Sequence, residues 1–249
     1  MARILITSGP TREYLDPVRY LSNASSGRMG CAMAAAARAA GHDVVIVSGP
    51  VEVDYPAGAE VIPVVTTQEM LDECLKVFPQ CDGAIGVAAP CDYRPRAASP
   101  QKLSKTGRSI HLDLVQTPDI LATLAAQREK GTGSESARCL SPFPGGAVEQ
   151  ETGTGSESAR CLSPFPAGKT RQWIVAFALE TEDGRARALR KLYEKHCDLI
   201  VLNGPAAIHS RDTAVEVLDP GGNVLASLSG AKDQVAEEVF RLIQERLTG

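Results

Sequence analysis

A chain of 249 residues is long enough to bury one large core or two small ones, and 43% hydrophobic with 22% charged residues is an ordinary globular composition. A net charge of −4 and a pI near 5.7 exclude a general nucleic-acid binder while leaving room for a local cationic pocket. The opening run 2–7 is too short for a secretory apolar region, and the apolar stretch 31–37 is bracketed by Arg28 and Arg38, so no leader and no membrane span is expected. Seven cysteines (Cys31, Cys74, Cys81, Cys91, Cys139, Cys161, Cys197) contain no C-x-x-C pair, which suits reduced packing thiols in a cytoplasm.

Strand and helix signals alternate along the chain. Residues 3–8 form a short β run, and 26–40 a small-residue helix closed by Gly41. The motif SNASSGRMG at 22–30 packs an amide, three hydroxyls and two glycines around that helix start, where unpaired N–H groups and the positive dipole end suit an anion. Ser25 or Ser26 is a candidate cap; the alternative is an ordinary capped helix whose glycines pack against the sheet. The β-branched run 43–48 predicts a strand buried on both faces, followed by a strand at 61–65 and a helix at 67–78 capped by Thr66 or Thr67. A central strand is expected at 83–88 and a more exposed one at 110–115. Pro118 sits near the first turn of a helix running to about Glu129.

Beyond it, residues 173–179 read as a strand, 184–196 as a helix and 199–202 as a strand. The runs 214–218 and 224–228 flank DPGGN as a hairpin, and a last amphipathic helix spans 231–247. The order predicts a single domain of three-layer α/β/α type, a Rossmann-like, mainly parallel sheet with an antiparallel excursion near the C-terminus. Ligands of such folds sit at the carboxyl ends of strands, so the loops after Ser8, Ala88, Leu179 and Leu202 are the places to look. One segment breaks the pattern: residues 131–144 read GTGSESARCLSPFP, and 153–166 repeat it letter for letter. Two such polar units are too few for a solenoid, and poor order is expected from about 131 to 171.

Three further constellations carry chemistry. GVAAPCDYRP at 86–95 places small Ala88 and Ala89 at a strand end, with Asp92 able to accept from a ribose or base amine; a plain Asx-turn loop is the alternative. A basic loop, KLSKTGR at 102–108, fits a polyphosphate or merely solvent. Lys191 and Lys195 lie four apart on one helix, a pair suited to an anion unless it is simply solvated beside Glu194. His42, His111, His196 and His209 show no metal-ligand spacing.

Taken together, these segments resemble the phosphopantothenate–cysteine ligase family, also called phosphopantothenoylcysteine synthetase, whose bacterial branch is usually the C-terminal half of a bifunctional protein. The resemblance is carried by ILITSGPTRE at 4–13, DPVRYLSNASSGRMG at 16–30, DYRP at 92–95, Lys102, TPDI at 117–120, AFALET at 176–181, Lys191 with Lys195, and DLIVLN at 198–203. It covers the chain except the duplicated insert.

The resemblance implies that CTP, or alternatively ATP, with Mg²⁺ activates the carboxylate of 4′-phosphopantothenate as an acyl nucleotidylate. The amine of L-cysteine then displaces the nucleoside monophosphate. By position it implies that Asn23 holds the acyl intermediate and that Arg19 lies near phosphopantothenate. Gly86, Val87, Ala88 and Asp92 would bind nucleotide, Lys102 would close a basic flap on the phosphates, and Phe177 would flank the base. Lys191 and Lys195 would contact nucleotide, and Asn203 would form a pocket wall. A homodimer also follows from the resemblance, the cysteine usage suits a cytoplasmic setting, and a flavin-dependent decarboxylase, usually fused ahead of the ligase in the family, is a candidate separate partner; no protein-held metal, nucleic acid or membrane is expected. Three departures stand out: Ser104 replaces a flap lysine, Pro90 and Cys91 precede Asp92, and Pro10 follows Gly9. The competing readings are an NAD(P)-dependent oxidoreductase, against which the first loop lacks G-x-G-x-x-G, and a nucleotide-binding module of little activity whose duplicated loop serves a partner.

Overall fold

The computed structural model describes residues 1–105, 107, 109–131, 172–204 and 212–248. The N-terminal half runs β1 (Arg3–Ser8), β2 (Arg12–Tyr14), β3 (Tyr20–Ser22), α1 (Arg28–Ala39), β4 (Asp43–Ser48), β5 (Glu60–Pro63), α2 (Thr67–Val77), β6 (Gly83–Gly86), β7 (Tyr93–Pro95), β8 (Leu114–Gln116) and α3 (Ile120–Gly131). After it come β9 (Trp173–Leu179), α4 (Gly184–Glu194), β10 (Leu199–Asn203), β11 (Asp212–Leu218), β12 (Val224–Ala231) and α5 (Lys232–Leu247). Eight strands form one sheet in the order β12-β11-β10-β9-β6-β1-β4-β5. Pairing is parallel from β10 to β5 and antiparallel across β10–β11–β12, the expected excursion.

Alternation along the strands builds two cores. Ile4 and Ile6 face a layer containing Met33 of α1 and Phe240 of α5, whereas Leu5 faces Met70 of α2, Leu124 of α3 and Leu192 of α4. Burial of both faces explains why β1 and β4 read as unbroken apolar runs rather than alternating ones. The alanines of α1 let α5 pack against it closely, with Ala32, Ala34 and Ala36 all buried.

Several boundaries differ from expectation, each for a local reason. Helix α1 starts at Arg28, with Gly27 as its N-cap at φ 74° and no side-chain cap, so neither Ser25 nor Ser26 caps it. A Cβ on Gly27 would lie 2.8 Å from Val51, and one on Gly30 would lie 2.2 Å from the Ser8 hydroxyl. The two glycines therefore admit close packing against Val51 and against Ser8 of β1. Thr66 caps α2 through a capping box with Glu69. Helix α4 ends at Glu194, and His196 at φ 50° turns the chain.

The strand expected at 110–115 is only Leu114–Gln116, paired with β7 apart from the main sheet. No layer covers its approach: Ile110 and Leu112 are 55% and 44% exposed. Pro118 lies two residues ahead of α3, near its first turn as expected. Two small ribbons were not foreseen, β2–β3 after β1 and β7–β8 after β6. Apart from Gly131, the 131–171 insert lies outside the described residues, as do His209 and Thr106 and Arg108 of the basic loop.

Candidate active site

The carboxyl ends of β1 and β6 stay joined beyond the strands by a Pro10–Ala89 bridge, with Ala89 N–H donating to Gly9 O at 2.9 Å. Beside it opens a cleft of about 120 Å³. Its lining includes Gly86 and Ala88 from β6 and its loop, Asp92 and Cys91, Asp119 ahead of α3, Phe177 of β9 and Lys195 after α4. Five predicted residues from three separate segments (Gly86, Ala88 and Asp92; Phe177; Lys195) thus share one cavity at a strand-end crevice.

Each is held by identifiable contacts. A Cβ on Gly86 would meet Leu121 at 2.5 Å, so this glycine admits α3 close to the sheet as well as lining the cleft. Ala88 N–H donates to the Thr7 hydroxyl at 3.3 Å. Val87 packs with Phe177 against the α1–α5 core. The Lys195 ammonium pairs with Asp119 at 2.8 Å, and the other Asp119 oxygen accepts from Ala122 N–H at 3.0 Å to cap α3. Asn23 reaches the same loop from the first motif, its Nδ2 donating to Pro90 O at 2.9 Å.

Arg19 and Lys102 are not part of the cleft lining; Arg19 instead contacts Leu103, next to Lys102. The buried Asp16 carboxylate pairs with Arg19 at 2.7 Å and accepts Leu103 N–H at 3.1 Å, while the Arg19 guanidinium donates to Leu103 O. The residue next to Lys102 is therefore clamped on both sides of its backbone. Burial pushes the Asp16 carboxyl up, but the N–H groups of Val18, Leu103 and Arg19 with the Arg19 charge outweigh it and hold the carboxyl at about 2. The Asp16 carboxylate is therefore ionised near neutrality.

Lys191 and Asn203 lie elsewhere. Lys191 pairs with buried Glu180 at 2.7 Å, and Glu180 with Asn203 lines a second cavity, about 380 Å³, beside β11 and β12. Asn203 Oδ1 accepts from the Thr213 hydroxyl at 3.3 Å. The two lysines do not converge on one anion; each is neutralised by a different carboxylate.

Cys91 is not an activated thiol: burial raises its pKa, so it stays protonated near neutrality. In the sequence Asp119 stands out only as part of TPDI, with no role of its own in a cleft. The position of Asp119 one residue before a helix was the available signal, as an N-cap.

The family model described as "DNA/pantothenate metabolism flavoprotein C-terminal domain" matches residues 1–134 and 162–247, and the unmatched stretch falls in the duplicated insert. The coenzyme A biosynthesis bifunctional protein CoaBC of Vibrio cholerae is 34% identical over 251 residues, covering 98% of this chain and 53% of that protein. CoaBC of Bacillus subtilis is 34% identical over 201 residues, 80% of this chain and 39% of that protein. The chain spans about half the length of the Vibrio relative or less of the Bacillus one. The crystal structure of the C-terminal domain of CoaBC is similar at 30% identity and a TM-score of 0.69, covering 99% of this chain and 95% of that one.

Proposed function

Because the chain belongs to the DNA/pantothenate metabolism flavoprotein C-terminal domain family, we propose that it joins 4′-phosphopantothenate to L-cysteine at the expense of CTP. The first step is attack of the phosphopantothenate carboxylate on the α-phosphorus, which forms an acyl cytidylate and expels pyrophosphate. In the second, the cysteine amine attacks the acyl carbon and CMP leaves with the electron pair of the anhydride bond. The observation that carries this reading is the single cleft that collects Gly86, Ala88, Asp92, Phe177 and Lys195 from separate segments, with Asn23 bonded to its rim.

In the first step charge builds on the leaving pyrophosphate, and Lys195 is the cation at hand. A triphosphate of roughly four negative charges competes with Asp119 for it. Small Ala88 lets a phosphate approach the backbone, and Phe177 offers a flat apolar face to a base. The clamp of Asp16 and Arg19 on Leu103 holds Lys102 where a flap would begin. In the second step the Asn23 carboxamide fixes the acyl carbonyl and stabilises the oxyanion as the amine adds.

Magnesium suits the donor set as a passenger on the nucleotide. No group of three or more His, Cys, Asp or Glu side chains among the described residues could hold a metal alone. Of the cleft carboxylates, Asp119 is engaged by Lys195 and Ala122. Exposed Asp92 would supply the oxygen ligand, and the ion would offset phosphate charge when bound. A homodimer in the cytoplasm is part of the same proposal; no helix among the described residues is long and apolar enough to cross a membrane.

The expected result is release of pyrophosphate that requires CTP or ATP, Mg²⁺ and phosphopantothenate together, and release of nucleoside monophosphate that further requires cysteine. A coupled pyrophosphate assay with each component omitted in turn checks this. Release that ignores phosphopantothenate, or none with either nucleotide, overturns the reading.

A further inference from the structure

We propose that Thr11, Thr67 and Thr117 form a buried hydroxyl circuit that positions Asp92 and Asn23 for the reaction; the inference rests on the ligase reading and adds positioning residues to it. The circuit closes around Cys91. Its N–H donates to Thr11 Oγ1 at 2.8 Å, and its carbonyl accepts from Thr67 Oγ1 at 3.3 Å and Thr117 Oγ1 at 2.5 Å. The Thr11 and Thr67 hydroxyls are 2.8 Å apart. Since Thr67 gives its proton to Cys91 O, Thr11 is the donor between them, and the ring runs in one direction from Cys91 N–H to Cys91 O.

The loop on either side is held by the same means. Pro90 O accepts from Asn23 Nδ2 at 2.9 Å, and Asp92 O accepts from Thr117 N–H at 2.9 Å. Thr67 is itself fixed by its N–H, which donates to buried Glu13 at 2.8 Å. Thr11 is 0%, Thr67 1% and Thr117 9% exposed, so water does not stand in for these bonds readily. Valine would fill the same space without a hydroxyl to satisfy. What the three hydroxyls add is a single orientation for a loop whose exposed ends carry the nucleotide-side carboxylate and the acceptor of the Asn23 amide. A displacement of about 1 Å in such groups costs up to roughly a hundredfold in rate.

Thr117→Val, Thr67→Val and Thr117→Ser test the circuit by amide hydrogen exchange and by steady-state kinetics. In Thr117→Val, exchange at Cys91 is expected to speed by roughly tenfold while the β1 amides Ile4 to Ile6 keep their rates. The KM for CTP rises by roughly tenfold with the KM for cysteine unchanged, and Thr117→Ser restores both readouts. Thr67→Val does the same through Thr11 and the Cys91 carbonyl, and decides the matter should Thr117→Val fail to fold. Unchanged exchange at Cys91, exchange that quickens equally in β1, or a serine variant as impaired as the valine one overturns the proposal. A wild-type chain that releases no pyrophosphate overturns the ligase reading instead, and the exchange comparison still decides the circuit.

Discussion

Asn23→Ala is expected to slow amide formation by roughly 10²–10³-fold while leaving pyrophosphate release within about threefold of wild type. The asymmetry follows from where charge develops. In the proposed activation step negative charge grows on the departing phosphates, where the role proposed for Lys195 applies. In the proposed amide step it grows on the former acyl oxygen, where the role proposed for the carboxamide applies. The structural cost of the truncation is small, because the Asn23–Pro90 contact is exposed and water replaces it. Following α-labelled CTP in a single turnover separates the two steps: the variant accumulates acyl cytidylate and turns it over slowly. Equal loss in both half-reactions removes the role assigned to Asn23.

Arg128→Ala is expected to cost about 3–5 kcal/mol of stability, or roughly 6–20 °C in melting temperature. The Arg128 side chain is 2% exposed and pairs with Asp198 at 2.6 Å. It also donates to Gln172 O at 3.1 Å and to His196 O at 2.8 Å. Truncation leaves the Asp198 carboxylate, 19% exposed, without the guanidinium, although Ile174 N–H still donates to it at 2.8 Å. Because His196 follows Lys195 directly, the loss also loosens the turn that presents this lysine to the cleft. Denaturant unfolding measures the effect; a loss below about 1 kcal/mol contradicts it. Arg128→Lys recovers only part, since an ammonium does not reproduce the planar fork.

Much of the fold was legible because periodicity is local. β1, β4 and β9 occupy the spans that their apolar runs predict, and the DPGGN turn joins β11 to β12. What escaped was set by contacts remote in sequence. Gly27, the left-handed N-cap of α1, packs against Val51, a neighbour 24 positions away that no residue near Gly27 announces. The ribbons β2–β3 and β7–β8 have three residues per strand, too few for an alternation to register. The site was half legible: the family resemblance assigned Asp92, Phe177 and Lys195 to one nucleotide and they do share a cleft, whereas the same resemblance and helical spacing together made Lys191 a partner of Lys195. Tertiary structure instead gives Lys191 to Glu180 and leaves Asn203 in the second cavity. The threonine circuit was invisible because a hydroxyl beside an apolar run looks the same whether it meets solvent or another hydroxyl.

A crystal structure of the chain with CTP and Mg²⁺ decides where the nucleotide sits. The triphosphate is expected in the cleft beside Ala88, with Lys195 turned from Asp119 onto a phosphate and Asp92 within reach of the ribose or the metal. A nucleotide seated instead in the cavity lined by Glu180 and Asn203, away from Asp92 and Lys195, contradicts that expectation.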